Sequence, residues 1–316
     1  MTSRPRPTPR IGVVGAGWWA CGAHLPSLQT YEGAELVGLV DPDEEKSARV
    51  AEHFQVKRTF SSIEGLLDAG ADGVVISAPH DLHYDLARKA LDRGVHVFVE
   101  KPMVLTGEHA WDLVRRAEAQ NLHLTVGYTF QHTSHARLAR EWVARGEIGD
   151  LQLVSATYAS VVEAFLRGQP DAYNNTLFEY QVHGPSSDTY SRPERGGGQA
   201  YTQITHAMGM AFWVTDERAT RVAGFMSSAG LDVDLADAAS YELASGAIGT
   251  IASTGGLAPG QQQNQVIDYY GSAGVIHQDL LNGVLRLQRT DGLVTEAPVL
   301  EGYDIYPIQL PVRRFA

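Results

Sequence analysis

Two stretches of this 316-residue chain place chemically useful residues where backbone geometry is restricted. The first is Gly15-Ala16-Gly17-Trp18-Trp19-Ala20, spaced as G-x-G-x-x-G/A, after an apolar run and ahead of a helical pattern. In that context the first glycine makes a tight turn and the second lets backbone approach a pyrophosphate. The small last residue lets helix and strand pack closely. The helix start adds free N–H groups and the positive end of a dipole for the phosphates. Asp41 closes the next apolar run. A carboxylate there accepts hydrogen bonds from ribose hydroxyls and repels a 2′-phosphate, so NAD is expected over NADP. The plainer alternative is a glycine-rich turn with a helix-capping aspartate. Trp18 and Trp19 either line the nucleotide pocket or pack the first helix on the sheet.

The second stretch is Glu100-Lys101-Pro102. A lysine at the end of a buried strand, just ahead of a proline, is carried by backbone with little freedom. Partial burial lowers its pKa and suits it to hydrogen-bond a substrate hydroxyl. Taken alone, a surface lysine paired with Glu100 is the plainer reading. Two further strand ends, Ser77-Ala78-Pro79-His80 and Gly127-Tyr128, fall where open α/β sheets bind ligands. His80 and His83 bracket Asp81 as a metal pair would, but no third ligand clusters with them. No metal is expected, and Asp81 reads as a helix start. His132 and His135 open a helical stretch and face either the site or solvent. The polar stretch Phe165–Arg195 holds Tyr173, Asn174, Asn175, Tyr180, His183 and Tyr190. Aromatic rings with amides suit carbohydrate recognition, and His183 is a candidate second histidine of the site. An oligomer contact or a plain surface loop explains each of them as well.

The elements that must position these residues alternate along the first part of the chain. Strands are expected at residues 10–15, 35–41, 57–60, 73–78, 95–100 and 122–127, with helices at 19–29, 44–53, 63–68, 84–93 and 108–120. Runs such as Val74-Val75-Ile76 and Val95-His96-Val97-Phe98-Val99 are nearly all apolar, as a parallel sheet covered on both faces requires. The result is a doubly wound parallel sheet, an α/β Rossmann domain over residues 10–128. Beyond it the pattern changes. A helix at 134–145 leads into longer, alternating strands at 151–162, 221–227, 239–244, 247–254, 265–270, 274–278 and 284–288. Tight turns such as Ser245-Gly246 join them, and one helix at 201–214 interrupts. Residues 129–316 therefore read as an α+β domain with a large, mostly antiparallel open sheet. The closing Val312–Ala316 reads as the opening of an amphipathic helix.

Composition excludes several classes. Hydrophobic residues make up 44% and charged residues 20%, enough apolar material for globular cores. The net charge of −12, with no basic block in the body of the chain, argues against a nucleic-acid partner. No apolar run approaches the roughly 18 residues of a membrane span, so no membrane partner is expected. Residues 1–9 hold three prolines and no apolar core, and read as a disordered arm rather than a secretory signal. The single cysteine, Cys21, rules out an internal disulfide framework and fits a cytoplasmic setting.

Together, Gly15–Ala20, Ala78-Pro79-His80-Asp81-Leu82-His83, Glu100-Lys101-Pro102 and Gly196-Gly197-Gly198 followed by His206 resemble the glucose–fructose oxidoreductase / inositol dehydrogenase / MocA family. Val126-Gly127-Tyr128 and Gly146-Glu147-Ile148-Gly149 look like that family's domain junction, and the likeness runs from about residue 10 to 310. It implies a dehydrogenase or reductase acting with NAD on a secondary hydroxyl or ketone of a sugar, sugar derivative or cyclitol. Its second sheet would form a homodimer or homotetramer. Lys101 matches the family's substrate-contacting lysine, with a peptide bond before Pro102 that is often cis. His206 matches the histidine that takes the hydroxyl proton, a task suited to an ordinary imidazole pKa of about 6.5. The cofactor set implied is Gly15, Gly17, Trp18, Trp19, Asp41, Ser77, Pro79, His83, Glu100 and Lys101, with Tyr128, His183 and Thr202 toward the substrate. Thr202 is a departure, since the family commonly has Asp there, one helical turn before the histidine. A threonine hydroxyl can bond a substrate but cannot stabilise an imidazolium by charge. Two alternatives therefore stay open. One is an enzyme with tightly held NAD that oxidises, eliminates and re-reduces a glycoside. The other is a non-catalytic sensor of NAD or sugar.

Overall fold

Short runs of Val, Ile and Leu between helical stretches build the first sheet. The computed structural model describes residues 7–169, 180 and 187–316. Six strands, β1 (Arg10–Val14), β2 (Glu35–Val40), β3 (Thr59–Phe60), β4 (Gly73–Ile76), β5 (His96–Val99) and β6 (Leu124–Val126), pair in the order β3-β2-β1-β4-β5-β6. Every pairing is parallel. All four residues of β4 are buried, because helices cover both faces. Those helices are α1 (Leu25–Gln29), α2 (Glu44–His53), α3 (Ile63–Asp68), α4 (His83–Asp92) and α5 (Gly107–Gln120). Local chemistry sets their bounds. The Asp43 side chain accepts from Lys46 N–H to start α2, Thr106 does the same for His109 in α5, and α5 stops at left-handed Asn121.

The chain separates into two units. Residues up to Gly127 form the first together with Tyr180 and the last stretch, Gln309–Ala316. The amphipathic pattern at the chain's end does make a helix, Leu310–Phe315, and it packs with this first unit. Val312 is fully buried, Phe315 lies 5.8 Å from Phe98 ring to ring, and the Arg313 guanidinium donates to Ser27 O at 3.1 Å.

The second unit comprises the described residues from Tyr128 to Ile308 other than Tyr180. Its strands are β7 (Leu151–Ala159), β8 (Ala219–Ser227), β9 (Ala236–Leu243), β10 (Ile248–Thr254), β11 (Asn264–Gly271), β12 (Gly274–Asp279), β13 (Val284–Arg289) and β14 (Val294–Glu296). They run in the order β14-β13-β12-β11-β7-β10-β9-β8. All pairings are antiparallel except β7 with β10. Alternate residues of β7, namely Val154, Ala156 and Tyr158, turn inward. There Val154 and Ala156 join residues of α6 (Ser134–Ala144) and of a later helix, Thr205–Thr215, in one core. Two short helices, α7 (Glu163–Leu166) and α8 (Ser187–Ser191), precede that later helix, which is α9. The expected doubly wound sheet and mostly antiparallel sheet are thus both present. β7 ends three residues early; past Ala159 the Ser160 N–H to Thr254 O bond and an isolated bridge from Val161 to Gly256 continue it. Among the described residues no helix is long and apolar enough to cross a membrane.

Candidate active site

The first unit gathers its share of the candidate residues at the carboxyl ends of β1, β4 and β5, beside the point where strand order reverses. Gly15 leaves β1 at φ +100°, and its N–H donates to Val40 O at 2.7 Å. A β-carbon there would lie 2.6 Å from Ser77 O, whereas at Gly17 the nearest atom would be 3.9 Å away. The turn is closed on its strand side and open at Gly17. That cradle fits a pyrophosphate brought against backbone N–H groups, so the residues present suit NAD.

A wide π turn, Ala20–His24, follows, with Leu25 N–H donating to Ala20 O. The Trp18 and Trp19 rings sit 5.7 Å apart, and Trp19 Nε1–H donates to Glu100 Oε1 at 2.9 Å. Lys101 N–H donates to Glu100 Oε2 at 3.2 Å. The glycine turn and the lysine segment therefore meet at one carboxylate. The Lys101–Pro102 bond is cis. Burial holds the Lys101 amine below the usual lysine range, with Glu100 opposing that effect.

Asp41 stands at the end of β2, only 5% exposed. Its Oδ2 accepts from Ala16 N–H at 2.9 Å and lies 2.8 Å from Lys46 Nζ, while its Oδ1 accepts from Asp43 N–H at 3.0 Å. The carboxylate braces the glycine turn. Lys46 is a neighbour the sequence reading did not single out. Ser77 and Pro79 form the turn after β4, and Pro79 precedes a single 3-10 turn, His80–Leu82. His83 is wholly buried, with Nδ1 2.8 Å from Pro102 O and Nε2 2.9 Å from Ala78 O. It ties the two strand-end turns together. Burial pushes its pKa down, against the two carbonyls that favour the protonated ring. Among the described residues no group of three or more His, Cys, Asp or Glu side chains is placed to hold a metal.

The second unit carries Tyr128, Thr202 and His206. A second π turn, Ala200–Ile204, leads into α9, so the expected single helix is wider at its start. Gly198, at φ +101°, sets up that start, where Ala200 N–H donates to Asp234 Oδ2 at 2.6 Å. His206 lies in α9, nearly buried, with the rings of Tyr128, Phe130 and Tyr158 at 6.4, 6.3 and 6.4 Å in edge-on contact. Burial raises the Tyr158 phenol well above its ordinary range, so it stays protonated. Phe130 and Tyr158 escaped the sequence reading; the inward alternation of β7 was the available signal for Tyr158. Thr202 is fully buried, and its hydroxyl donates to Gly198 O at 2.7 Å. His183, with Tyr173, Asn174 and Asn175, lies outside the described residues. Tyr180 packs on His53 at 4.1 Å in the first unit, and Tyr190 stacks on Phe165 at 5.4 Å in the second.

Comparison with known proteins adds independent findings. Residues 9–128 match an oxidoreductase family with an NAD-binding Rossmann fold, and residues 136–277 match the GFO/IDH/MocA C-terminal domain. The chain is 30% identical over 142 residues to glucose-6-phosphate 3-dehydrogenase of Bacillus subtilis, covering 45% of this chain and 40% of that protein. It is 30% identical over 149 residues to inositol 2-dehydrogenase of Corynebacterium glutamicum, covering 46% and 44%. The chain thus spans less than half the length of these curated relatives. Among solved structures, the WlbA dehydrogenase of Bordetella pertussis, determined with NADH and UDP-GlcNAcA, superposes with a TM-score of 0.71 at 22% identity. That match covers 88% of this chain and 75% of the other. At that identity the likeness is one of fold.

Proposed function

The chain belongs to the Gfo/Idh/MocA oxidoreductases, and from that membership we propose that it transfers a hydride between NAD and a secondary hydroxyl or ketone of a sugar, sugar derivative or cyclitol. The relatives support this substrate class, since one is named for a sugar phosphate and another for inositol. The observation that carries the reading is the joining of the glycine turn to the Lys101 segment through Trp19 and Glu100.

NAD, when bound, would supply the hydride acceptor or donor, and this chain's residues would do the rest. Backbone at Gly15 and Gly17 would receive the pyrophosphate, with Trp18, Ser77 and Pro79 among the residues that would hold the dinucleotide. Asp41 favours ribose hydroxyls over a 2′-phosphate, so NAD is preferred to NADP. Lys101, its amine biased toward the neutral form by burial, holds the reacting oxygen by a hydrogen bond. His206 is assigned the proton transfer, taking the substrate hydroxyl's proton in oxidation and returning it in reduction. The surrounding rings of Tyr128, Phe130 and Tyr158 limit water around the imidazole. Thr202 brings no charge to this step, and its hydroxyl is turned onto Gly198 O. The open sheet of the second unit pairs subunits into a homodimer or homotetramer, and a cytoplasmic setting suits the single, buried Cys21.

The test is a screen of sugars and cyclitols with NAD and NADP, followed by reduced-nicotinamide absorbance, beside Lys101→Ala and His206→Ala. Each substitution is expected to lower kcat by about 10²–10⁴-fold while leaving NADH affinity within a few fold. Nucleotide that survives purification with no net reduction of added NAD would overturn simple dehydrogenation in favour of an internal redox–elimination cycle. Binding without any turnover would leave a sensor.

A further inference from the structure

His24 is a buried titratable side chain that the proposed chemistry does not use. The π turn Ala20–His24 directs it inward, where it is 2% exposed. Its Nε2 lies 2.9 Å from Glu100 Oε1, the same oxygen that accepts from Trp19 Nε1–H. The Phe98 ring meets the imidazole edge-on at 5.3 Å and an interplanar angle of 75°, which fixes the ring's tilt. Nδ1 is buried and, among the described residues, has no hydrogen-bond partner. An ionised carboxylate can only accept, so the hydrogen belongs on Nε2. The bare Nδ1 of that tautomer costs less than a buried N–H without an acceptor would.

Glu100 is itself 8% exposed, and its other oxygen accepts from Lys101 N–H. Its Oε1 therefore faces the first helical segment and its Oε2 the lysine's own backbone. A buried carboxylate with two donors on one oxygen has little freedom to rotate, because any other rotamer leaves charge unsatisfied.

We infer that His24 is a positioning residue: by holding Glu100 Oε1 it fixes the carboxylate that anchors both the Lys101 backbone and the Trp19 indole, and so sets where the lysine stands relative to the glycine turn. This rests on the reading of Lys101 as the substrate-contacting group. Without His24, Trp19 would be the donor left on Oε1, with Lys101 N–H on the other oxygen; His24 supplies the second bond that pins Oε1. With His24 in place, the turn that receives the dinucleotide and the lysine that meets the substrate share one rigid strut.

The experiment uses the full chain and needs no identified substrate. Trace acetylation of Lys101 with acetic anhydride across pH, read by peptide mass spectrometry, gives the titration midpoint of its amine. NADH binding is followed in parallel by quenching of tryptophan fluorescence. His24→Leu removes the donor but keeps apolar bulk, and it is expected to move the Lys101 midpoint up toward that of an ordinary lysine. His24→Gln, whose amide N–H reaches the same oxygen, is expected to restore the wild-type midpoint. Should His24→Leu fail to fold, His24→Asn, with too short an amide to reach Oε1, reads the same quantity. An unchanged midpoint in a folded His24→Leu or His24→Asn, accompanied only by a lower melting temperature, would overturn the inference and leave His24 a core residue. A wild-type protein that does not bind NADH would count against the proposed function instead, with the midpoint still deciding the role of His24.

Discussion

Cys21 sits inside the wide turn after the glycines, buried, with its sulfur 3.7 Å from Ala16 O. Burial pushes its pKa up to about 12, so the reactive thiolate is scarce at neutral pH. Ellman's reagent is expected to leave it unmodified in the native protein and to react once the chain is unfolded in urea. Rapid reaction of the native protein would show that this turn opens. At this scale the sequence was legible wherever a residue's placement depends on its immediate neighbours. Gly15 needs only the strand before it and the helix after it, and Lys101 only the buried strand and Pro102. Lys46 on Asp41, His24 on Glu100, and Phe130 and Tyr158 around His206 were not legible. Each is a contact made across elements, and no local spacing announces it.

Both π turns fall on the helices that carry candidate site residues, Ala20–His24 after the glycine turn and Ala200–Ile204 before His206. Such wide turns cost hydrogen-bond geometry and recur at functional sites. The first turns His24 inward; the second begins where Asp234 binds Ala200 N–H and, through its carbonyl, Gln199 N–H at 3.0 Å. Near that start lies the buried carboxyl of Asp237, on β9. Burial foremost, then the neighbouring Asp234 charge, raises its pKa from 3.8 to about 7. A carboxyl whose folded pKa is raised binds its proton more tightly in the native state than in the unfolded one. Its contribution is therefore complete below about pH 4 and is lost as pH rises through about 7. Melting temperature is expected to fall across that window, with a shallower slope in Asp237→Asn. An identical slope in the variant would place the titration elsewhere. Strand and helix positions were largely readable from periodicity, β4 and β5 above all. The π turns were not, because a one-residue widening leaves the 3.6-residue pattern almost intact, and three-residue β14 is too short to show alternation.

At the scale of the molecule, a net charge of −12 is combined with an edge strand whose nine residues are all exposed. Val222 and Met226 lie along it with Phe225, which is 85% exposed. Bare apolar edges invite pairing, and the proposed self-association would cover this one. Phe225→Asp is expected to shift sedimentation toward a smaller species if β8 lies in the subunit contact. An unchanged sedimentation coefficient would move that contact to another part of the sheet. The C-terminal helix has a consequence of a different kind, in the order of events during synthesis. All six strands of the first sheet leave the ribosome early, but the Val312 and Phe315 that complete its core are translated only after the whole second unit. The core of the first unit therefore lacks these two side chains until the second unit has been translated. A released chain that stops at Ile308 is expected to be cut by protease in the first unit and spared in the second.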